Sequence, residues 1–521
     1  MMNEKKILSG HCLLSSWPFF LFIFLNLVLI WCTNYFPFQD LPQHLAIVSI
    51  WKNLQSHQNH IYHAWYMLPE GFHSYYSIYY LLLSLVSLFS IHVALKILLS
   101  VYVVAVFMSF HHLMKTVHGK DSPAWLAILA QLIVWNGALC MGFLSFAFCL
   151  PFFLLAVSVY LRLSEAGNKK EMIVLGLSVL GMSLLHVMSG FLLLLFVFIH
   201  SVCVRQKRVF VLSFFVILFV VSLSLLWGGI FGGHLGTLSG LDLVQAQKGR
   251  FGFEFINSLF DLKWSDPPVV LNYFIWNLVG PYRLLPLLFH SGLFLVLGFW
   301  FFKTKTLIKP HKPLLSIWLL LLICCVMPWG LYKPTEVTFI NFRFIAFSLA
   351  LCLALLPWSR VNTPLKKYTL LICCLLVFSQ FAGRVCLFNQ ELKPALALIH
   401  SVPKHKVMLS LMHHNESDYF AKMFRATHFT PLYYTIDNEG VNTQFWARYT
   451  KHLPIAYQRG KASLGPPDWF PWEFDGEKHL RGIDYLLVQN KKENELTDNQ
   501  TVLIKGMEKM RCQQNWCLYK K

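Results

Sequence analysis

The sequence predicts an all-α bundle of transmembrane helices, followed by a small α/β domain outside the membrane. Of the 521 residues, 56% are hydrophobic and only 13% are charged, whereas soluble domains carry about 25% charged residues. Apolar runs long enough to cross a bilayer recur along most of the chain before residue 389. These runs are continuous rather than alternating, which favours helices over membrane strands.

Twelve windows are apolar enough to be spans: 17–36, 75–91, 94–110, 124–138, 140–161, 172–186, 188–204, 209–230, 284–302, 314–330, 340–357 and 368–388. Clusters of Lys and Arg at 205–208, 303–312 and 360–367 mark the cytoplasmic side. An outward C-terminus requires an odd number of crossings from a cytoplasmic start, so one window between 75 and 161 is miscounted. We therefore predict about 11–13 helices.

The predicted membrane domain covers residues 1–388 and has two large outer loops, 34–74 and 231–283. The polar remainder, 389–521, is the outward domain, with strand-like runs at 407–411 and 483–489. Cys512 and Cys517 lie in this domain and would form a disulfide in an oxidising compartment, with two free thiols as the alternative.

The formal net charge of +19 does not indicate a nucleic-acid partner. Lys and Arg cluster in short loops between apolar runs, which is the pattern that orients helices in a membrane. We therefore expect membrane lipid, and no nucleic acid, as a partner. The sequence also contains no P-loop, GxSxG, HExxH or Rossmann fingerprint, so an ATP-driven role has no support.

Asp40 is the most informative residue of the first outer loop. It is the only acidic residue between Glu4 and Glu70. A lone carboxylate at a membrane boundary is unfavourable unless it has a partner or a function. If the chain is an enzyme, Asp40 is the residue to which we assign the chemistry.

The same residue also matches a helix N-terminus. Asp40 is followed by Pro42 and, three positions on, by Gln43, which is the pattern of a capping box. The helix that it would begin, 41–54, is amphipathic enough to lie on the membrane surface. Asp40 is thus a helix cap, a catalytic carboxylate or both, because a capping carboxylate keeps one oxygen available.

His44 follows Asp40 by one helical turn, on the same face. It could orient Asp40, relay a proton or bind phosphate; an exposed interfacial histidine is the alternative. Glu70, the second acid of the loop, could share a metal or a proton with Asp40, and a simple loop acid is the alternative.

Four histidines of the same loop recur at spacings typical of metal ligands: His57, His60, His63 and His73. They have no companion cysteine, and their Tyr and Trp neighbours suit a membrane-interface belt. We assign no residue as a metal ligand, and a divalent metal stays open as a cofactor.

Arg343 lies at the predicted outer end of a span, after Lys333. A guanidinium binds phosphate oxygens bidentately, so Arg343 is a candidate for a lipid phosphate, with snorkelling to headgroups as the alternative. His186 lies between two apolar runs. An ionisable residue within the membrane suggests a functional site, and helix packing is the alternative.

In these features the chain resembles the glycosyltransferase C superfamily, polytopic membrane enzymes that use polyprenyl-phosphate-linked sugars. The resemblance rests on the first span, on the outer loop that begins with Asp40 in FQDLPQH, and on the outward C-terminal domain. The stretches 142–146 (GFLSF) and 483–488 (IDYLLV) are similar to uncharacterised bacterial members. The likeness in architecture covers the whole chain, and the likeness in motif covers only these short stretches.

The resemblance implies an enzyme of the bacterial inner membrane, with its N-terminus cytoplasmic and its C-terminal domain periplasmic. It would transfer a sugar from a polyprenyl-phosphate donor to an extracytoplasmic acceptor. Asp40 would be the base, or would hold a metal, with His44 and Glu70 assisting; Arg343 and Lys333 would bind the donor phosphate. Many members carry two acids at this place, whereas here Asp40 follows a glutamine.

Two other classes of function stay open. A non-catalytic lipid or polysaccharide transporter, or an envelope-assembly partner, would distribute charges along a path between helices, whereas here the charges gather at the ends of spans. An O-antigen polymerase or ligase would depend on the outer-loop residues Arg250 and Arg283 more than on Asp40.

Overall fold

The computed structural model describes residues 17–56, 60–68, 76–119, 124–166, 169–204, 340–355, 364–420, 424–445, 454–458, 479–489 and 506–521, with short pieces elsewhere. The chain forms two compact units. The helical unit comprises Met1–Cys32, Leu99–Leu139 and Leu144–Ala382, and the sheet unit comprises Thr33–Leu98, Cys140–Phe143 and Gly383–Lys521. The C-terminal segment therefore forms one compact unit with Thr33–Leu98, the stretch that includes the predicted loop 34–74.

The helices are α1 (Trp17–Cys32), α2 (Leu41–Ser56), α3 (His60–Trp65), α4 (Ser77–Val86), α5 (Ile91–His118), α6 (Gln131–Val134), α7 (Gly137–Cys140), α8 (Leu144–Ala147), α9 (Cys149–Ala166), α10 (Lys169–Leu185), α11 (Val187–Val204), α12 (Ile340–Leu355), α13 (Pro364–Ser401) and α14 (Tyr433–Asp437). Within the described residues, 3₁₀ helices cover Ala124–Ala130 and Thr430–Leu432.

The strands are β1 (Tyr66–Met67), β2 (Leu262–Lys263), β3 (Gly330–Leu331), β4 (Val337–Thr338), β5 (Val407–Met412), β6 (Val441–Asn442), β7 (Ala456–Tyr457), β8 (Tyr485–Gln489), β9 (Glu508–Gln513) and β10 (Trp516–Lys520). In the part of the chain that the structure describes, these strands pair in sheets with the orders β1-β7, β2-β3-β4 and β6-β5-β8-β10-β9. In the five-stranded sheet, β5 is parallel to β6 and β8, whereas β10 is antiparallel to β8 and β9.

Within the described residues, three helices are long and apolar enough to cross a membrane: Ile91–His118, Leu144–Leu163 and Lys367–Ser401. Shorter apolar helices accompany them, at Trp17–Cys32, Ser77–Val86, Met188–Cys203 and Phe342–Ala354, and a series of short consecutive helices covers Ala124–Cys140. The three long helices support membrane association, and the count of 11–13 helices stays a prediction. The windows 284–302 and most of 209–230 and 314–330 lie outside the described residues.

The predicted span 124–138 is not one α-helix, which corrects the sequence interpretation. A 3₁₀ helix is followed by two short helices that separate at Trp135 and Asn136. The Asn136 side chain accepts a hydrogen bond from the Leu139 amide and donates one to the Ile133 carbonyl. Side-chain bonds thus replace backbone bonds that a continuous helix would make. The break lies between residues 75 and 161, the region in which the number of predicted spans did not agree with the predicted topology.

A buried polar network joins this broken segment to α1 in the helical unit. Asn26 Nδ2 donates to Gln131 Oε1 at 2.6 Å, and Trp135 Nε1 donates to Asn26 Oδ1 at 2.6 Å. Asn26 and Gln131 are almost fully buried. A buried amide away from water needs such partners, because an unmade hydrogen bond there is unfavourable by about 1–3 kcal/mol.

The core of the sheet unit lies between the five-stranded sheet and the C-terminal part of α13. Leu398 and Ile399 are buried in one hydrophobic cluster with Leu487 of β8 and Trp516 of β10. The two predicted strand runs are confirmed as β5 and β8. At the edge of the sheet, Cys512 and Cys517 face each other across β9 and β10 and form a disulfide.

The helix α2 is buried, so the prediction of an amphipathic helix on the membrane surface is wrong. Its residues are shielded from Leu41 to Trp51, except for a partly exposed His44. It packs against α4 on one side and α14 on another. Ser49 Oγ donates to the Thr435 carbonyl of α14 at 3.3 Å. Apolar residues on several faces of α2 serve two neighbours rather than one lipid surface.

Candidate functional site

Asp40 lies at the start of α2, in the sheet unit, and is only 5% exposed. Its amide donates to the Met141 carbonyl at 3.3 Å, and the amide of Gln39 donates to the Cys140 carbonyl at 3.0 Å. Two consecutive backbone amides are thus bonded to a turn about a hundred residues further along the chain. This turn, Cys140–Phe143, fixes the backbone position of Asp40.

Gly142 brings that turn into direct contact with Asp40. Its φ is +85°, in the left-handed region that residues with a Cβ rarely adopt. A Cβ placed on Gly142 would lie 2.5 Å from the Asp40 amide nitrogen and 2.7 Å from the Asp40 Cβ. Only glycine satisfies both the backbone conformation and the close approach, so Gly142 is a constituent of the site.

His44 braces the same turn. Its Nε2 lies 2.9 Å from the Gly142 carbonyl, and its Nδ1 lies 2.7 Å from the Tyr79 hydroxyl. A carbonyl only accepts, so Nε2 carries the proton and Tyr79 donates to Nδ1 in the neutral ring. Burial lowers the pKa of His44 to about 4, against the opposing hydrogen bond to Gly142. The predicted histidine is therefore neutral at pH 7 and has a positioning role.

The two glutamines beside Asp40 connect α2 to the C-terminal segment of the sheet unit. Gln39 Oε1 accepts from the Arg425 amide at 3.1 Å, and Gln43 Nε2 donates to the Gln444 carbonyl at 2.9 Å. In a capping box the Gln43 side chain would accept a hydrogen bond from the Asp40 amide. Here the Asp40 amide donates to the Met141 carbonyl and the Gln43 side chain donates to the Gln444 carbonyl. Asp40 lies between two tethers that hold the helix start in place.

Several predicted site residues lie outside the described part of the chain: Glu70, Lys333, His57, His73, Arg250 and Arg283. Among the residues that are described, no group of three or more His, Cys, Asp or Glu could hold a metal ion. A divalent metal at Asp40 therefore stays a prediction from the sequence.

In the helical unit, two residues that the sequence singled out separately are partners. Arg343 Nη1 donates to His186 Nε2 at 3.0 Å. The Arg343 guanidinium also lies 5.9 Å from the centre of the Phe146 ring, which meets His186 edge-on at 5.2 Å. Because His186 accepts through Nε2, its imidazole is neutral in this contact. The imidazole and the ring together orient the guanidinium.

The structure thus unites Asp40 with His44 in the sheet unit and Arg343 with His186 in the helical unit. Sequence reasoning did not identify Gly142, Tyr79 or Gln444 as parts of the Asp40 site. Gly142 is the first residue of the stretch 142–146, whose similarity to bacterial members of the superfamily was the sequence feature that could have identified it. No known family model matches the chain, and no curated protein matches its sequence.

Proposed function

We propose that the chain is a membrane glycosyltransferase of the bacterial inner membrane. It transfers a sugar from a polyprenyl-phosphate donor to an extracytoplasmic acceptor. The observation that carries the proposal is the fixed position of Asp40, whose backbone is bonded to the 140–143 turn and flanked by two glutamine tethers. A catalytic carboxylate must be held in place before the substrate arrives, and such fixation supplies this.

In this proposal Asp40 accepts the proton of an acceptor hydroxyl. The hydroxyl oxygen attacks the anomeric carbon of the donor, and the bond to the polyprenyl phosphate breaks. His44 acts through the 140–143 turn rather than on the substrate, because both ring nitrogens are engaged. Asp40 is 5% exposed, so acceptor binding requires the segments that cover it to open.

Arg343 is the proposed partner of the donor phosphate, together with Lys333. What supports this role is the position of Arg343, whose guanidinium is oriented by the His186 imidazole and the Phe146 ring. The phosphate carries the developing negative charge when the sugar leaves, and an Arg side chain stabilises such charge well. The other proposed partners are the surrounding membrane lipids.

The test compares a deletion strain carrying the wild-type gene with one carrying Asp40→Asn. We expect the variant protein to accumulate normally while transfer falls by at least about a hundredfold, because general-base catalysis contributes about 10²–10⁴-fold. Mass spectrometry of the lipid-linked sugars should show the unused donor accumulating. Full transfer activity in Asp40→Asn, with normal expression, would refute the proposal.

The second candidate is a non-catalytic transporter or assembly partner. The burial of Asp40 and the engagement of both His44 nitrogens favour this alternative, because they also suit a purely structural helix start. It predicts that deletion of the gene alters the envelope glycans while Asp40→Asn restores them as well as the wild type does. The same pair of strains therefore distinguishes the two functions.

A further inference from the structure

Positively charged side chains gather at one end of the helical unit. Lys115 lies in the last turn of the apolar helix Ile91–His118, and Arg162 lies in the last turn of the apolar helix Leu144–Leu163. Both helices are long enough to cross a membrane, so these two side chains lie at the level where the lipid headgroups begin. Lys170 lies in the first turn of α10. We call Lys115, Arg162 and Lys170 the basic cluster.

Side-chain contacts bring the three helices of the basic cluster together at this end. Thr116 Oγ1 of α5 lies 2.6 Å from Ser158 Oγ of α9. Arg162 Nε of α9 lies 3.3 Å from Glu171 Oε1, in the first turn of α10. The end of α5, the end of α9 and the start of α10 therefore meet in one place.

The surroundings of the basic cluster carry a net positive charge. Lys115 and Arg162 both act electrostatically on the His112 ring, so their charges belong to one group. Over the segments 111–121 and 162–171 the sequence has five Lys or Arg residues and three Asp or Glu residues. This end of the unit therefore favours an anion as its ligand.

An exposed apolar stripe on α5 leads to the basic cluster. Val101 and Met108 are 60% and 52% exposed, and Lys115 is exposed as well. These three residues follow one another at intervals of seven, which is about two helical turns, so they share one face of α5. Apolar surface along this helix is thus followed directly by a positive charge.

The helix α10 has the same arrangement, read in the opposite direction along the chain. Leu177 and Leu184 are 61% and 43% exposed. They follow the exposed Lys170 at intervals of seven, so these residues also share one helical face. Arg162 of α9 is 36% exposed although Glu171 is its partner. The basic cluster therefore lies at the surface of the described helices, next to exposed apolar side chains.

We propose that the basic cluster binds the phosphate of an anionic phospholipid, whose acyl chains lie on the apolar stripes that lead to it. A guanidinium can bind two phosphate oxygens at once, and each lysine adds a point charge. Basic residues at the membrane surface attract anionic lipids in this way. The ligand is a lipid rather than a soluble phosphate because the positive charge and the exposed apolar surface are continuous.

This lipid site is separate from the proposed donor site. His186, the partner of Arg343, directly follows the last residue of α10, whereas Lys170 lies in the first turn of that helix. A helix of 17 residues is about 25 Å long at the usual rise per residue. One phosphate therefore does not reach both places. The proposal depends on the helices crossing a membrane and not on the glycosyltransferase assignment.

Native mass spectrometry of the full-length protein in detergent micelles tests the proposal. The protein is titrated with phosphatidylglycerol or with phosphatidylcholine of the same acyl chains, and the dissociation constant of the first bound lipid is measured. The variants are Lys115→Gln, Lys170→Gln and the two combined. Lys404→Gln is the matched control, because it removes one exposed lysine from the sheet unit. In a separate arm, inorganic phosphate competes with phosphatidylglycerol.

We expect the wild type to bind phosphatidylglycerol at least about tenfold more tightly than phosphatidylcholine. Lys115→Gln and Lys170→Gln should each weaken phosphatidylglycerol binding about fivefold, and the double variant about thirtyfold, which is the size of effect that a basic residue has near an anionic lipid. Binding of phosphatidylcholine should not change. Lys404→Gln should bind both lipids as the wild type does, and inorganic phosphate should not displace the lipid.

Equal affinity of the wild type for the two lipids, or unchanged phosphatidylglycerol binding in the double variant, would overturn the proposal. So would a loss in Lys404→Gln as large as that in Lys115→Gln. Displacement of phosphatidylglycerol by inorganic phosphate would show a site for a free anion instead of a lipid. If the double variant does not fold, the two single variants decide the question.

Discussion

The contact between Gly142 and Asp40 leads to a prediction that separates backbone strain from collision. Replacement of Gly142 by Ala forces a residue with a Cβ into φ +85°, which is unfavourable by about 1–2 kcal/mol. The new Cβ would also lie 2.5 Å from the Asp40 amide nitrogen, so the backbone there must move. Gly482 offers a matched control, because it has φ +70° and open space where a Cβ would lie.

The collision puts three hydrogen bonds at risk: Gln39 N to Cys140 O, Asp40 N to Met141 O, and His44 Nε2 to Gly142 O. Each contributes about 1 kcal/mol net. We therefore expect Gly142→Ala to destabilise the start of α2 by about 3 kcal/mol more than Gly482→Ala destabilises its own turn. That difference corresponds to about a hundredfold in an equilibrium constant.

Hydrogen exchange of the peptide 38–44, measured by mass spectrometry in micelles, reports this opening directly. Gly142→Ala should accelerate exchange in this peptide about a hundredfold, while Gly482→Ala should leave it at the wild-type rate. If peptide 38–44 exchanges in Gly142→Ala as it does in the wild type, the 140–143 turn does not hold Asp40. The positioning role that we give to the turn would then be wrong.

Four further predictions follow from other sites. Asn26→Leu should lower the thermal midpoint in micelles, because it leaves buried Gln131 and Trp135 groups without their partner, at about 1–3 kcal/mol for each; an unchanged midpoint would contradict this. Burial lowers the pKa of His428 to about 3, so below about pH 6.5 this histidine binds a proton in the unfolded protein but not in the folded protein. The free energy of unfolding should therefore decline by about 1.4 kcal/mol for each pH unit below that value. His428→Phe should reduce the dependence of the thermal midpoint on pH, and an unchanged dependence would contradict the prediction. Gly440→Ala should destabilise the sheet unit, since its Cβ would collide with the Tyr434 ring, and proteolysis of that unit should become faster. Cys512→Ser should lower the stability of the β9–β10 hairpin by roughly 2 kcal/mol, the value for a short closed loop. Hydrogen exchange should then become faster in these two strands and stay unchanged in the rest of the sheet.

Local sequence signals predicted several of the helices and strands of the chain. Hydropathy adds up residue by residue, so the apolar windows 94–110 and 368–388 predict helices without knowledge of their neighbours. The structure extends these two helices to Ile91–His118 and Lys367–Ser401. The strands β5 and β8 follow from runs of β-favouring residues, and the shared helical face of Asp40 and His44 follows from their spacing. These properties depend on neighbours within about one turn of the chain.

The same signals were misleading for α2 and for 124–138. In α2 an apolar face packs against α4 and other faces are covered by α14, so what looked like a membrane-surface helix is buried. In 124–138 the composition suits a span, but Asn136 hydrogen-bonds locally and breaks the helix. Hydropathy does not distinguish lipid from protein as the apolar partner, nor does it register a side chain that competes with the helix backbone.

By itself, the sequence determined the long apolar helices, two strands of the five-stranded sheet, and the residues worth testing: Asp40, His44, His186 and Arg343. Tertiary structure alone decided which of them are partners. The 140–143 turn contacts Gln39 and Asp40 through hydrogen bonds between backbone amides and carbonyls. Nearly all residue types carry these groups, so the residue types alone do not predict the contact. Arg343 and His186 are 157 residues apart, and Asp437 of α14 contacts His92 of α5 and His400 of α13. Such contacts form only when tertiary packing brings together residues that are far apart in the chain, so they depend on the whole fold rather than on local sequence.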